Sequence, residues 1–258
     1  MNYEAITYGL DHDVATITLN RPDVLNGLTT QMRAELLHAV KRAQSEARVL
    51  VLTGAGRAFC SGQDLADAAN AGSIDLEGSL RDEYDPLINA IRDCAIPTIS
   101  AVNGVAAGAG ANLALAADVV IAAESASFLQ AFSRIGLIPD AGGTYFLPRK
   151  VGFARAMGAS LFAEPVSATQ AADWGMIWEA VPDAEFADHI AKRAGALAKG
   201  PTRGYALIKQ AIRQSMDNDW ATQQELEAQL QGEAGRTRDF TEGVTAFLQK
   251  RPASFEGR

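Results

Sequence analysis

Cysteine is scarce in this chain: 258 residues hold two, Cys60 and Cys94. Their separation has no metal-ligand spacing, so neither a zinc site nor a disulfide framework is expected. Histidine is scarce as well. His12, His38 and His189 fall in a turn and in two helical patterns, away from any glycine-rich segment, and no metal site is expected from them. A basic face is also missing, since 23 Lys and Arg stand against 31 Asp and Glu for a net charge of −8. Nucleic acid is therefore excluded as the main partner, because phosphate binding needs concentrated positive charge. No apolar run is long enough to span a bilayer, and the start of the chain carries neither a basic segment nor a long apolar one. These absences lead us to expect a reduced, cytoplasmic protein.

What remains is an ordinary globular composition, 48% hydrophobic and 21% charged, on a length that buries a full core. Segments 3–8 and 14–19 read as strands joined at Asp11-His12-Asp13 in a hairpin. Thr29 or Thr30 can cap a helix running through Ala43, with Met32, Leu36, Leu37 and Val40 on one face. Strands are expected at 49–53, 98–102 and 119–122, with helical patterns over 80–92 and 111–117 between them. That alternation predicts a parallel, crossover-connected α/β sheet. From Gly152 onward the pattern turns helical, over 152–161, 167–174, 185–198, 202–215, 220–235 and 238–249, and strand signal nearly disappears. Residues 67–78, polar and rich in small side chains, are expected to form a mobile loop beside a site.

Two segments point to chemistry. Gly108-Ala-Gly-Ala-Asn112 is a glycine-rich turn entering an apolar helix, whose first N–H groups have no internal partners and can face developing negative charge. Small residues there also serve close helix–sheet packing. Downstream, Ile138-Pro-Asp-Ala-Gly-Gly143 supplies a carboxylate, Asp140, which either caps a helix or acts as an acid/base beside the apolar Ile138, Pro139 and Phe132. Asp64 reads as a helix cap. Cys60 lacks an evident activating base and reads as packing, and Trp174 and Trp178 read as core or subunit contacts.

Four blocks in order carry a resemblance over nearly the whole chain: Asn20-Arg-Pro-Asp-Val-Leu-Asn26, Gly54-Ala-Gly-Arg-Ala-Phe-Cys-Ser-Gly-Gln-Asp-Leu65, Ala101-Val-Asn-Gly-Val-Ala-Ala-Gly-Ala-Gly-Ala-Asn112 and Gly136-Leu-Ile-Pro-Asp-Ala-Gly-Gly-Thr144. Together they resemble the crotonase superfamily, the enoyl-CoA hydratase/isomerase family of acyl-coenzyme A enzymes. The resemblance implies an α/β spiral of β-β-α turns over residues 1–199 and a helical trimerisation region over 200–258, assembled as a homotrimer or a dimer of trimers. It implies a thioester carbonyl held between the main-chain N–H groups of Gln63 and Ala109, an oxyanion hole in which one donor lowers a barrier by about 3–4 kcal/mol. Coenzyme A is then part of the substrate and no separate cofactor is expected.

The family's hydratases carry two glutamates at positions that align with Asn112 and Phe132, and neither residue can serve as a carboxylate acid/base. Asn112 is left to local backbone or to substrate. Isomerases of the family carry a carboxylate at the position of Asp140, which makes Asp140 the expected acid/base. Val24, Ala58, Cys60 and Gln63 are implied near the adenine, and Phe247 and Lys250 near the nucleotide, where Lys250 either neutralises phosphate or ends a solvated helix. The expected activity is acyl-CoA isomerisation. The likeness runs to the phenylacetate-pathway subgroup, which converts ring-1,2-epoxyphenylacetyl-CoA to oxepin-CoA, and extends to moving a double bond from the 3,4 to the 2,3 position of an enoyl-CoA. A hydratase, a hydrolase or dehalogenase with Asp140 as nucleophile, and a non-catalytic acyl-CoA binding protein are the competing readings.

Overall fold

Alternation along a single strand explains how the chain builds two layers around one sheet. In Val49–Gly54 the even positions Leu50 and Leu52 enter the main core, while Val49 and Val51 enter a second cluster with Ile99, Ala101, Ile121, Val181, Ala194 and Ala198. Successive side chains of a strand face opposite ways, so a strand apolar on both faces must be covered on both. A computed structural model describes residues 2–70 and 75–258 and shows what does the covering.

Strands β1 (Ile6–Asp11) and β2 (Val14–Leu19) form the expected antiparallel hairpin. A 3-10 turn at Pro22–Val24 leads to helix α1 (Thr30–Glu46), whose cap is Thr29, its side chain accepting from the Met32 N–H. Then follow β3 (Val49–Gly54), β4 (Ala58–Cys60), α2 (Leu65–Asn70), α3 (Leu76–Ser79), a π-helical turn at Leu80–Tyr84 and α4 (Asp85–Arg92). Next come β5 (Thr98–Val102), β6 (Val105–Ala107), α5 (Ala109–Leu115), β7 (Val119–Ala123), β8 (Ser127–Leu129), a 3-10 turn at Ala131–Ile135, α6 (Gly143–Val151) and α7 (Phe153–Phe162). The chain continues through β9 (Val166–Ser167), α8 (Ala168–Asp173), β10 (Glu179–Val181), α9 (Phe186–Ala198), α10 (Thr202–Gln214), α11 (Trp220–Ala234) and α12 (Arg238–Gln249).

The large sheet has the order β1-β2-β3-β5-β7-β10, parallel from β2 onward. A small second sheet has the order β4-β6-β8-β9. Each of β3, β5 and β7 is followed by a short strand of the small sheet, which is the β-β-α turn of the expected spiral. The short strands β4, β6 and β8 pair in parallel, and this is the arrangement that matters for the site. Their C-terminal ends lie side by side, so segments some fifty and twenty residues apart in sequence become neighbours.

Several expectations need correction. The long pattern over 80–92 is a π turn followed by α4, because one extra residue is accommodated at Leu80–Tyr84. The expected mobile loop at 67–78 is partly helical, in α2 and α3; its remainder, 71–74, lies outside the described residues. Strand structure does not end at Gly152, since β10 adds to β7 and β9 to β8.

Candidate active site

Two peptide planes are anchored by their carbonyls, and planarity then aims their N–H groups the opposite way. Leu28 N–H donates to the Gly62 carbonyl at 2.8 Å, so the N–H of Gln63, in the same peptide, points away from Leu28. The Gly108 carbonyl accepts the Asn112 N–H at 3.2 Å as α5 begins, so the Ala109 N–H points out of the helix N-terminus. Among the described residues, neither Gln63 N–H nor Ala109 N–H has an acceptor. The two turns touch: a Cβ on Gly62 would lie 3.4 Å from the Ala109 nitrogen and 2.8 Å from the Ala107 oxygen. Gly62 has φ +92° and Gly108 φ +52° with ψ −128°, conformations open to glycine. The sequence made both packing and anion holding available at this turn; the free donors give it the second capacity.

Asp140 does not cap α6. Ala141 (φ 47°) and Gly142 (φ 81°) are both left-handed, Gly142 takes the cap position, and no side chain caps the helix. Asp140 uses its carbonyl instead, accepting from the Gly143 N–H at 2.8 Å and from Asn112 Nδ2 at 2.8 Å. Its carboxyl Oδ1 is buried without a hydrogen-bond partner. Burial pushes its pKa from 3.8 to about 6, only partly offset by its own main-chain N–H. A carboxylate in that state can give or take a proton near neutrality.

Asn112 is fully buried and spent on structure: besides the bond to Asp140 it accepts from Gln130 Nε2 at 2.8 Å. Both ends of its amide are thus engaged in holding the Asp140 turn, which gives Asn112 a structural task there. Gly143 lets this contact form, since a Cβ there would meet Asn112 Nδ2 at 2.3 Å. Phe132 is buried with its ring tip against Gly108, where a Cβ would stand 3.8 Å away.

The remaining candidates are spread more widely. Val24 is exposed at the end of its turn. Ala58 and Cys60 turn their side chains into the core, so only their main chain can meet a ligand. The Cys60 thiol lies 3.1 Å from the Asn26 carbonyl, and burial pushes its pKa to about 12, which removes it as a nucleophile. Phe247 is exposed on α12, and Lys250 caps the same helix in a left-handed conformation. Among the described residues neither hydrogen-bonds to the Gly62 or Gly108 turns. His12 is solvent-exposed beside Asp11, His38 pairs with the Tyr3 hydroxyl, and His189 with Glu179. Trp174 packs on the core, whereas Trp178 is exposed. No group of three or more His, Cys, Asp or Glu among the described residues is placed to hold a metal ion, and no helix there is long and apolar enough to cross a membrane. A cavity of about 1120 Å³ lies on the opposite face of the large sheet, under α9; His12 and Asp11 line it, and Gln63, Ala109, Asn112, Phe132 and Asp140 do not.

Residues 9–258 match the family model described as enoyl-CoA hydratase/isomerase. The chain belongs to the enoyl-CoA hydratase/isomerase family. It is 58% identical over 258 residues to a probable enoyl-CoA hydratase of Rhodobacter capsulatus, covering all of both chains. It is 48% identical over 260 aligned positions to the 1,2-epoxyphenylacetyl-CoA isomerase of Escherichia coli, covering 99% of each. Among solved structures, a putative enoyl-CoA hydratase/isomerase from Mycobacterium abscessus superposes with TM-score 0.93 at 36% identity, covering 98% of this chain and all of the other. The crotonase-type spiral read from four sequence blocks is therefore the fold.

The sequence reading missed a polar cluster behind the Gln63 turn. Arg33 is buried on the apolar face of α1; it donates through Nη1 to Gln63 Oε1 (2.8 Å) and the Leu28 carbonyl (3.0 Å), and through Nε to Glu83 (2.8 Å). Tyr84, also buried, donates its hydroxyl to the same Gln63 oxygen. The signal was available: an arginine directly after Met32, on the face that carries Leu36 and Val40, needs buried partners.

Proposed function

We propose that this chain is an acyl-CoA isomerase in which Asp140 moves a proton while the Gln63 and Ala109 amides hold the thioester oxygen. The observation that carries this reading is the buried, partnerless Asp140 Oδ1, on a turn that Asn112 ties to α5, together with the two unpaired main-chain donors. On a 3-enoyl-CoA, Asp140 takes a proton from C2 and the electron pair delocalises over C2–C4 and the carbonyl oxygen. That oxygen gains negative charge, which the two amides offset, and the acid then returns the proton to C4 to leave a 2-enoyl-CoA. No net proton is gained or lost. The substrate is an acyl-CoA, with 1,2-epoxyphenylacetyl-CoA the first choice because a 48% identical relative carries that name. Coenzyme A would pass Val24 and the main chain of Ala58 and Cys60. Helices α10–α12, with exposed Ile208, Ile212, Trp220, Phe240, Phe247 and Leu248, would serve trimer contacts that bring Phe247 and Lys250 to a nucleotide. The protein would act in the cytoplasm.

Hydration is the second reading, favoured by the name of the 58% identical relative. It must find a water-activating acid/base other than Asn112 and Phe132. A mass-spectrometric screen of ring-epoxide, 3-enoyl and 2-enoyl coenzyme A thioesters separates the two. We expect mass-neutral conversion of the first two classes and slow water addition to the third; rapid gain of water by 2-enoyl-CoA, retained in Asp140→Asn, rejects the isomerase reading.

A further inference from the structure

We propose that Arg33, Glu83 and Tyr84 are positioning residues for the Gln63 donor, a role that rests on the oxyanion reading above. Gln63 Oε1 receives two donors, Arg33 Nη1 at 2.8 Å and the Tyr84 hydroxyl, and the same Arg33 nitrogen lies 3.4 Å from that hydroxyl. Arg33 Nη1 also donates to the Leu28 carbonyl. Leu28 is the residue whose N–H fixes the Gly62 carbonyl and whose carbonyl accepts the Asp64 N–H at 3.1 Å. One guanidinium thus ties together the side chain of Gln63 and the bridge residue Leu28, which clamps the peptides on either side of Gln63.

The fork geometry makes this a task for arginine. A planar guanidinium reaches Glu83 through Nε and Nη2 while Nη1 remains for Gln63 and Leu28, and its Cζ lies 4.7 Å from the Tyr84 ring centroid. Glu83 and Tyr84 are adjacent residues that both reach the cluster from the π turn at Leu80–Tyr84, which widens the helix where they leave it. Burial raises the Tyr84 hydroxyl pKa, and the Asp140 carboxylate adds to that rise, so the hydroxyl stays protonated as the donor that Gln63 needs.

A main-chain donor stabilises charge only as well as it is aimed, and donors that do not reorient during reaction are worth the most. The cluster supplies that stiffness from behind, without touching substrate. The test uses the full-length enzyme with a saturated acyl-CoA thioester labelled with ¹³C at the carbonyl. Its stretching frequency in the bound state reads carbonyl polarisation without turnover. We expect a downshift in the native enzyme, a clearly smaller one in Arg33→Met and in Gln63→Leu, and no further reduction in the double variant, since both act through one side chain. In turnover the same variants lose about tenfold in kcat, less than outright loss of a donor, with KM little changed. Glu83→Gln, which keeps an acceptor for the guanidinium, is expected to lose less of the downshift than Glu83→Ala, which removes it. Should Arg33→Met fail to fold, Tyr84→Phe reads the same shift by removing one donor to Gln63. A native downshift that Arg33→Met and Tyr84→Phe leave unaltered overturns the positioning role, as do additive effects of Arg33→Met and Gln63→Leu. No downshift in the native enzyme overturns the oxyanion reading itself, and the positioning role with it.

Discussion

Asp64 and Asp140 each lie two residues from a positive-φ glycine, Gly62 before the one and Gly142 after the other, and their carboxylates end in opposite states. Asp64 Oδ1 accepts the Ala66 and Asp67 N–H groups at 3.1 and 3.2 Å, and Oδ2 pairs with Arg21 at 2.8 Å. The Arg21 hydrogen bond, ahead of the main-chain donors, holds its pKa below the usual carboxylate range. Asp140 has none of this. Two left-handed residues separate it from the first turn of α6, so the N–H groups that a cap would use are out of reach. Neither residue type nor a neighbouring glycine distinguishes a hydrogen-bonded acid from an unpartnered one; the route of the chain between the acid and the next helix does.

The contrast is most sharply tested by removing each carboxylate. Asp140→Asn is expected to lower isomerase turnover by about 10²–10⁴, the usual contribution of a positioned acid/base, with acyl-CoA affinity largely kept. Steady-state kinetics with a direct binding measurement checks it, and retained turnover would falsify the role of Asp140. Gly62→Ala places a Cβ 2.8 Å from the Ala107 oxygen at φ +92° and should cost about 10²–10³ in kcat by turning one donor aside. A pH profile provides the third test: if ionised Asp140 is the base, kcat/KM rises with pH and is half-maximal at about 6.

Stability should divide the two acids by sign. Asp140 holds its proton more tightly folded than unfolded, so its contribution is present below pH 3.8 and is lost as pH rises through about 6. Asp140→Asn is accordingly expected to melt higher than the native protein at pH 8, with the gain vanishing below pH 4. Asp64 behaves in reverse: its lowered pKa gives stability above the unfolded value that is lost as pH falls through the folded one. Asp64→Ala should cost about 1–2 kcal/mol at pH 7, the worth of a helix cap, with chemistry much less affected. Equal melting curves for the two variants at neutral pH would remove the distinction.

The sequence made the long strands and the helices legible because their apolar positions recur with period two or near 3.6; β5 and α12 fall within the expected bounds. The strands β4, β6 and β8 have three residues each, too few to show any period, and they are the elements that bring the Gly62, Gly108 and Phe132 segments together. Glycine spacing could locate the turns but could not reveal that Asn112 would be consumed by the Asp140 carbonyl. That depends on α5 and the 138–143 segment meeting in space. Arg33 was hidden for a different reason: a single charge inside an apolar stripe is readable as an anomaly, while its partners, Glu83 and Gln63, lie fifty and thirty residues away.

The donors at Gln63 and Ala109 belong to the main chain, so a substitution at either position leaves the N–H itself in place, and at Gln63 alters only how firmly it is aimed. Side chains at 112, 132 and 140 can be exchanged over generations while the peptide cradle persists. Mutational drift in such a molecule would redirect what happens to a held thioester long before it abolished the hold. The vulnerable letters are the glycines at 62 and 108, where one added methyl group disturbs the frame rather than the chemistry.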